Sequence, residues 1–307
     1  MTAAIDVHGL TKRFGGGTVV DQASLRVDAG RICGFLGPNG SGKTTTLRMI
    51  CGLLIPDAGG GTVLGLDLGH DRQAIKRQIG YMTQKFGLFG DLSIRENLDF
   101  VARVYSLDRR RARVDAALEQ LGLATRADQL AGKLSGGWKQ RLALAACILH
   151  EPRILLLDEP TAGVDPQARR EFWDQIHDLA KQDMTVLVST HYMDEAERCH
   201  EIAYIAYGRM LARGTTEEVI AASGLYALTG EGPGADRLAR EIEGLPGVSL
   251  AAPFGTRLHV CGPDPDALRR AVAPWDGRVH WKASTPTLED VFIDLMQNAT
   301  DNSVVVN

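Results

Sequence analysis

The sequence lacks any apolar run long enough to cross a membrane. Its longest block, LALAACIL at residues 142–149, falls well short of the ~20 residues a spanning helix needs. It also lacks paired cysteines. The five present, Cys33, Cys51, Cys147, Cys199 and Cys261, are odd in number and scattered, and no two form a CxxC. That argues against a disulfide framework and against a zinc site, and for a reducing compartment. Each cysteine reads as a small apolar core residue. No excess of positive charge exists: Lys+Arg 34 against Asp+Glu 38 gives a net charge of −4, which is no footprint for non-specific nucleic-acid binding. The N-terminal MTAAIDVHGL has no basic stretch leading into an apolar one, and no internal repeat survives inspection. The expectation is a soluble chain that reaches a membrane only through a partner.

What is there suits one large domain and a small one: 307 residues, 44% hydrophobic. TVVDQASLRV and RICGFLG read as strands joined by a turn at Asp28-Ala29-Gly30. The second strand enters the glycine-rich GPNGSGKTT, and KTTTLRMICGLL continues as a helix. IGYMTQ reads as a strand, and helical periodicity dominates residues 86 to about 150. RILLLDEP and TVLVSTH are continuous apolar runs ending in polar residues, the pattern of buried parallel strands with chemistry at their C-terminal ends. Between them DPQARREFWDQIHDLAKQ predicts a helix with Asp165 as N-cap, Pro166 at its first position and Phe172, Ile176 and Leu179 buried. EIAYIAYGRMLARG reads as a hairpin turning near Gly208, and Thr215 with Glu218 offers a capping box. After residue 222 the order strand–helix–strand–strand–helix–strand suggests a ferredoxin-like α+β appendage over 223–297, closed by the helix TLEDVFIDLMQ. A frayed tail is expected over 298–307.

Residues 37–45 carry the first chemistry. Gly37, Pro38, Asn39, Gly40, Ser41, Gly42, Lys43 and Thr44, followed by Thr45, match GxxxxGK[ST] between a strand and a helix. The glycines let backbone N–H groups wrap phosphates, Lys43 reaches the β and γ oxygens, and the Thr44 hydroxyl is placed for Mg²⁺. ILLLDE supplies the complement: Asp158 to hold Mg²⁺ and Glu159 to activate an attacking water. A second phosphate-facing helix end stands far downstream. Ser135, Gly136 and Gly137 open a helix with Trp138, Leu142, Ala145, Ala146 and Leu149 at apolar spacing, and helix N-termini favour anions. Taken singly, Gln84 reads as a surface residue or a contact to Mg²⁺ or water. His191 reads as a satisfied polar residue or a γ-phosphate contact, and Phe14 as a core aromatic or an adenine stack. The other histidines, His259 among them, show no such context.

Their order along the chain is the telling feature. Phe14, the P-loop, Gln84, LSGG at 134–137, LLLDE, Asp165 and His191 together resemble the ATP-binding subunit of an ABC transporter, over residues 5 to about 220. The resemblance implies an α/β fold. Its P-loop core would be a mixed, RecA-like sheet with a helical subdomain at about 86–150, within a nucleotide-binding domain at 1–222. It also implies why one chain carries two phosphate-facing helix ends. Two subunits pair head to tail, and each ATP lies between the P-loop of one and Ser135, Gly136 and Gly137 of the other. By the same resemblance Asp165 sits in the loop coupling the two sites, and Glu159, His191 and Gln84 serve catalysis. Thr44, Gln84 and Asp158 would hold Mg²⁺. Two departures stand out: Trp138 follows the signature where Gln is common, and the coupling loop reads Ala162-Gly163-Val164-Asp165 rather than Ser-Ala-Leu-Asp.

GPNGSGKTTTLRMICGLL, TAGVDP, STHYMDEAERC and TPTLEDVFIDL further resemble the daunorubicin-resistance and nodulation-factor export type. That likeness implies an integral membrane permease as partner and a place on the cytoplasmic face of the inner membrane, and one complete set of motifs permits a homodimer with two active sites. The segment at 85–98 is the expected permease-facing one. Two other readings compete. A soluble ABC ATPase acting on ribosomes or DNA would usually show two cassettes or a long coiled-coil insertion, and this chain has neither. A catalytically dead cassette is opposed by the intact Lys43, Asp158, Glu159 and His191.

Overall fold

The computed structural model describes residues 2–299, and they divide into two compact units that meet between Met210 and Leu211. The expected tail lies largely outside the described residues. Among the described residues no helix is long and apolar enough to cross a membrane.

The first unit opens with β1 (Ala3–Phe14), a strand the sequence reading does not single out, paired antiparallel with β2 (Gly17–Asp28). Its inward residues Ile5, Val7 and Leu10 are fully buried, while Asp6 and His8 face outward. Next come β3 (Ile32–Leu36) and α1 (Lys43–Ile50), which begins as the glycine-rich loop ends. The chain continues through β4 (Ala58–Val63), β5 (Leu66–Asp67), α2 (Arg72–Gln78) and β6 (Ile79–Met82). Strands β2, β1, β4 and β5 form one sheet in that order.

Three helices without an intervening strand follow: α3 (Ile94–Val104), α4 (Arg110–Gln120) and α5 (Gly136–Ile148). Ser93 and Glu96 make a full capping box at the start of α3. Asn97, fully buried, accepts from Phe89 N and donates to the carbonyls of Phe89 and Ser93, which pins the loop ahead of that helix. Helix α5 departs from the single apolar stripe expected of it. Leu142, Ala145 and Leu149 are buried, but so are Leu144 and Ile148. Trp138 is only half-buried, with the guanidinium groups of Arg126 and Arg141 over its ring. The reason is position: α5 packs against α3, α4, α6 and β6 at once, so more than one side is covered.

The remaining elements of this unit are β7 (Ile154–Asp158), α6 (Pro166–Ala180), β8 (Thr185–Thr190), α7 (Met193–Ala196), β9 (Glu201–Ala206) and β10 (Arg209–Gly214). Asp165 caps α6 through Ala168 N, with Pro166 at its first position. The second sheet runs β10-β9-β3-β8-β7-β6, and its β9·β3, β3·β8, β8·β7 and β7·β6 pairs are parallel. The continuous apolar run of β7 is explained by two cores. Ile154 and Leu156 face the cluster shared with β1, β2 and α1, whereas Leu155 and Leu157 face the helical side. A parallel strand covered on both faces has no polar side to show.

The unit boundary falls inside β10, ahead of the 222/223 boundary expected from sequence texture. Helix α8 (Thr216–Ala222), with the expected Thr215–Glu218 capping box, packs with the last helix of the second unit. That unit then runs through β11 (Tyr226–Glu231), α9 (Ala239–Ile242), β12 (Leu250–Phe254), β13 (Arg257–Gly262), α10 (Pro265–Val272), β14 (His280–Ser284) and α11 (Leu288–Asn298). Its sheet order is β12-β13-β11-β14, antiparallel throughout. That is the ferredoxin-like arrangement.

Leu156→Ala should destabilise the first unit by about 3 kcal/mol, because it leaves a cavity in a fully buried strand. Chemical denaturation followed by tryptophan fluorescence and circular dichroism measures the loss.

Candidate nucleotide site

Parallel pairing assembles the site. β8 lies between β3 and β7, with Leu36 opposite Thr190 and Asp158 opposite Ser189. The loop after β3, the acidic end of β7 and the hydroxyl end of β8 therefore converge at one edge of the sheet. A cavity of about 300 Å³ opens there, lined by Val19, Asn39, Gly40, Ser41, Gly42, Lys43, Thr44, Thr45, Gln84 and Glu159. At two positions the loop must be glycine. A Cβ on Gly37 would lie 2.1 Å from the Ile205 carbonyl oxygen, and one on Gly42, at φ 103°, would lie 2.8 Å from that of Val19. Only a residue without a side chain follows that path.

Lys43 is 5% exposed. Its Nζ donates to the carbonyls of Gly37 at 2.7 Å and Pro38 at 3.0 Å and lies 3.6 Å from Glu159 Oε1. Burial holds the ammonium below its ordinary pKa, while Glu159 and Asp158 pull the other way. Thr44 Oγ1 donates to Asp158 Oδ1 at 3.0 Å, and Ser189 Oγ donates to the same oxygen at 2.7 Å. Ser189 Oγ also accepts from Glu159 N at 3.0 Å, so one hydroxyl aligns both acids. The Tyr81 hydroxyl reaches Asp158 Oδ2 at 3.4 Å, and burial pushes its phenol up to about 12, which keeps it a donor.

Glu159 sits at φ 47°, a left-handed conformation uncommon outside glycine. Its Oε2 accepts from Gln84 Nε2 at 2.9 Å and lies 3.6 Å from His191 Nδ1, a nitrogen with no hydrogen bond. Ser41 Oγ is likewise buried without a partner beside the cavity. Thr44 and Asp158 present hard oxygen donors side by side, the set that suits Mg²⁺ together with phosphate oxygens and water.

Other expected residues stand elsewhere. Ser135 is the exposed N-cap of α5, and its side chain makes no cap hydrogen bond. Gly136 and Gly137 lie against the 163–168 segment: a Cβ on Gly137 would come within 2.6 Å of the Ala168 Cβ, and one on Gly136 within 3.8 Å of the Gly163 carbonyl. None of these three, nor Asp165, lines the cavity around Lys43. Phe14 is half exposed at the end of β1, with Lys12 Nζ 5.5 Å from its ring centre, and it does not line the cavity either. Sequence reasoning missed Ser189, Tyr81 and Val19. Ser189 had a readable signal, since it ends an apolar run two residues before His191; Tyr81 and Val19 had none.

Comparison with known proteins agrees with this geometry. The ABC transporter family model matches residues 20–162. The chain is 35% identical over 305 residues to Nod factor export ATP-binding protein I of Rhizobium sp. (strain N33), covering 95% of this chain and 96% of that one. It is 45% identical over 221 residues to the probable multidrug ABC transporter ATP-binding protein YbhF of Escherichia coli K12, where the match covers 71% of this chain but only 38% of the relative. The structure of cbiO1 from Clostridium perfringens, part of the ABC transporter complex cbiONQ, aligns with a TM-score of 0.67 at 28% identity, over 72% of this chain and 92% of that one. With a glycine loop, a lysine and two carboxylates gathered at one sheet edge, the chain belongs to the ABC transporter family, as one of its ATP-binding subunits.

Proposed function

We propose that this subunit hydrolyses Mg²⁺-ATP between two copies of itself and drives a separate membrane permease of the export type. The observation that carries the reading is the single network joining Lys43, Thr44, Asp158, Glu159, Gln84 and Ser189 around one cavity. In it the backbone N–H groups of residues 39–45 and the Lys43 ammonium hold the β and γ phosphates. Thr44 and Asp158 hold Mg²⁺, with Gln84 at the cavity wall; the ion, when bound, neutralises charge on the phosphates. Glu159 accepts the proton of the attacking water, oriented by the Gln84 amide and the Ser189 hydroxyl. His191 stands beside Glu159, placed to meet the γ-phosphate.

A homodimer fits the same geometry. Ser135 and the N-terminus of α5 present free donors that their own cavity does not use, as a partner's phosphate would require. Asp165, at the head of α6, and Phe14, at the rim of the first sheet, belong to the same proposal as coupling and adenine contacts. Export is favoured by the relative named for Nod factor export, which matches nearly end to end. A place on the cytoplasmic face of the inner membrane follows from the permease reading.

The permease-facing surface is assigned to residues 85–98. This segment follows directly on Gln84, and beside it lies an apolar recess of about 320 Å³ lined in part by Leu88, Val101, Tyr105 and Ala146. Phe89 and Phe100 stand exposed there, ring edge to ring face at 5.1 Å.

Lys43→Ala should lower ATP hydrolysis on the order of 10²-fold or more, through lost phosphate stabilisation. Glu159→Gln should do the same by removing the base and should trap an ATP-bound dimer visible by gel filtration. Near-normal turnover in Glu159→Gln would place the base elsewhere. Ser189→Ala should reduce hydrolysis roughly 10- to 100-fold, the usual weight of a group that orients a metal-holding carboxylate, measured as Mg²⁺-dependent phosphate release. Phe89→Asp should abolish transport in reconstituted vesicles while sparing the soluble ATPase; intact transport would move the permease contact elsewhere.

A further inference from the structure

The sheet of the second unit buries residues on both faces. On one, Leu258 and Val260 of β13 join Ala235, Leu238, Leu268 and Val272 in an apolar core. Side chains alternate along a strand, so His259 and Cys261 point to the other face. That face meets α11, whose first turn brings in Asp290. All three are buried, at 7%, 0% and 2% exposure. The strand register adds Thr229 opposite His259, and Thr229 hydrogen-bonds Ser284 across the sheet. An interface of this kind normally carries apolar side chains, because burying polar groups costs stability unless each finds a partner.

The three groups converge on one point. His259 Nε2 lies 2.9 Å from Asp290 Oδ2 and 3.2 Å from Cys261 Sγ, and the three ligand atoms all lie within 4.8 Å of one another. One imidazole nitrogen carries either a hydrogen or a lone pair, so it cannot donate to the carboxylate and accept from the thiol at the same time. A cation at the convergence point would take a lone pair from each. Tetrahedral zinc at its usual bond lengths puts the nitrogen roughly 3.4 Å from oxygen and roughly 3.6 Å from sulfur. The observed spacings are shorter by about 0.5 Å at most, an adjustment that small side-chain rotations supply. Thr287 N and Thr287 Oγ1 donate to Asp290 Oδ2 at 2.6 and 2.8 Å, the capping contacts of α11, which fix the orientation of the carboxylate.

We propose that His259, Cys261 and Asp290 form a binding site for a borderline-soft divalent cation, zinc by choice of donors, which fastens α11 to the sheet of the second unit. The thiolate excludes magnesium and calcium, which take oxygen ligands, and the nitrogen–sulfur–oxygen set suits zinc. His259 binds through Nε2 with its hydrogen on Nδ1. The Cys261 thiol proton passes to solvent, and water completes the fourth position. The site is separate in composition from the nucleotide cavity, whose donors are amides, an ammonium, hydroxyls and carboxylates.

The test uses the full chain without a histidine tag, stripped of metal and free of nucleotide, titrated with Co²⁺ alone and then with Zn²⁺. The expected result is a cobalt–thiolate charge-transfer band that saturates at one equivalent and vanishes as zinc displaces cobalt. Zinc should also raise the Tm, as any ligand selective for the folded state does. Cys261→Ala should lose the band and bind zinc at least ~10-fold more weakly. If that variant fails to fold, the cobalt spectrum of the unaltered chain still decides. Absence of a thiolate band at stoichiometric cobalt would overturn the proposal, as would an equal band in folded Cys261→Ala.

Discussion

Parallel pairing of β3, β8 and β7 is the constraint on which the nucleotide site depends. The three strands point the same way, so their C-terminal ends share one edge, and the chain must turn there three times. The glycine loop leaves β3, Asp158 and Glu159 leave β7, and Ser189 leaves β8 between them. Both faces of these strands are buried, which makes the register rigid: a slip of one residue would exchange the two cores and drive Asp158 into one of them. The apolar runs therefore do two things at once. They stabilise the sheet, and they fix Asp158 within a hydrogen bond of Thr44.

Within that frame the electrostatics are balanced locally. Lys43 is buried but lies against Glu159 and two loop carbonyls, and Asp158 accepts hydrogen bonds from three hydroxyls. A triphosphate entering the cavity would compete with Glu159 for the lysine. The left-handed backbone at Glu159 belongs to the same logic. A sparsely populated conformation at a functional residue persists when its surroundings over-determine it, and here its N–H is held by both the carbonyl and the hydroxyl of Ser189.

The second unit shows the opposite use of a sheet. Its strands are antiparallel, and one face carries an ordinary apolar core. The other sets imidazole, thiol and carboxylate beneath a capped helix. Asp290 is at once the capping-box partner of Thr287, the N-cap of α11, and the partner of His259, so the start of that helix and the polar cluster share one side chain.

How much was legible in the sequence follows from contiguity. The P-loop lies within nine neighbouring positions, 37–45, because a loop that wraps phosphates with its own N–H groups must be local; its spacing alone determined Lys43 and Thr44. The acidic strand end, the caps at Asp165 and Thr215, and the four-strand order of the appendage are also local patterns, and each was readable. Helix α5 was misread in part because periodicity shows a helix's preferred face, not how many neighbours will press on it. Ser189 beside Asp158, Tyr81 beneath it, and Ser135 turned away from its own cavity were decided by strand order and helix placement, which no window of sequence contains. The sharpest case is His259, Cys261 and Asp290. These three come from a strand and a helix that only the tertiary fold brings to one point.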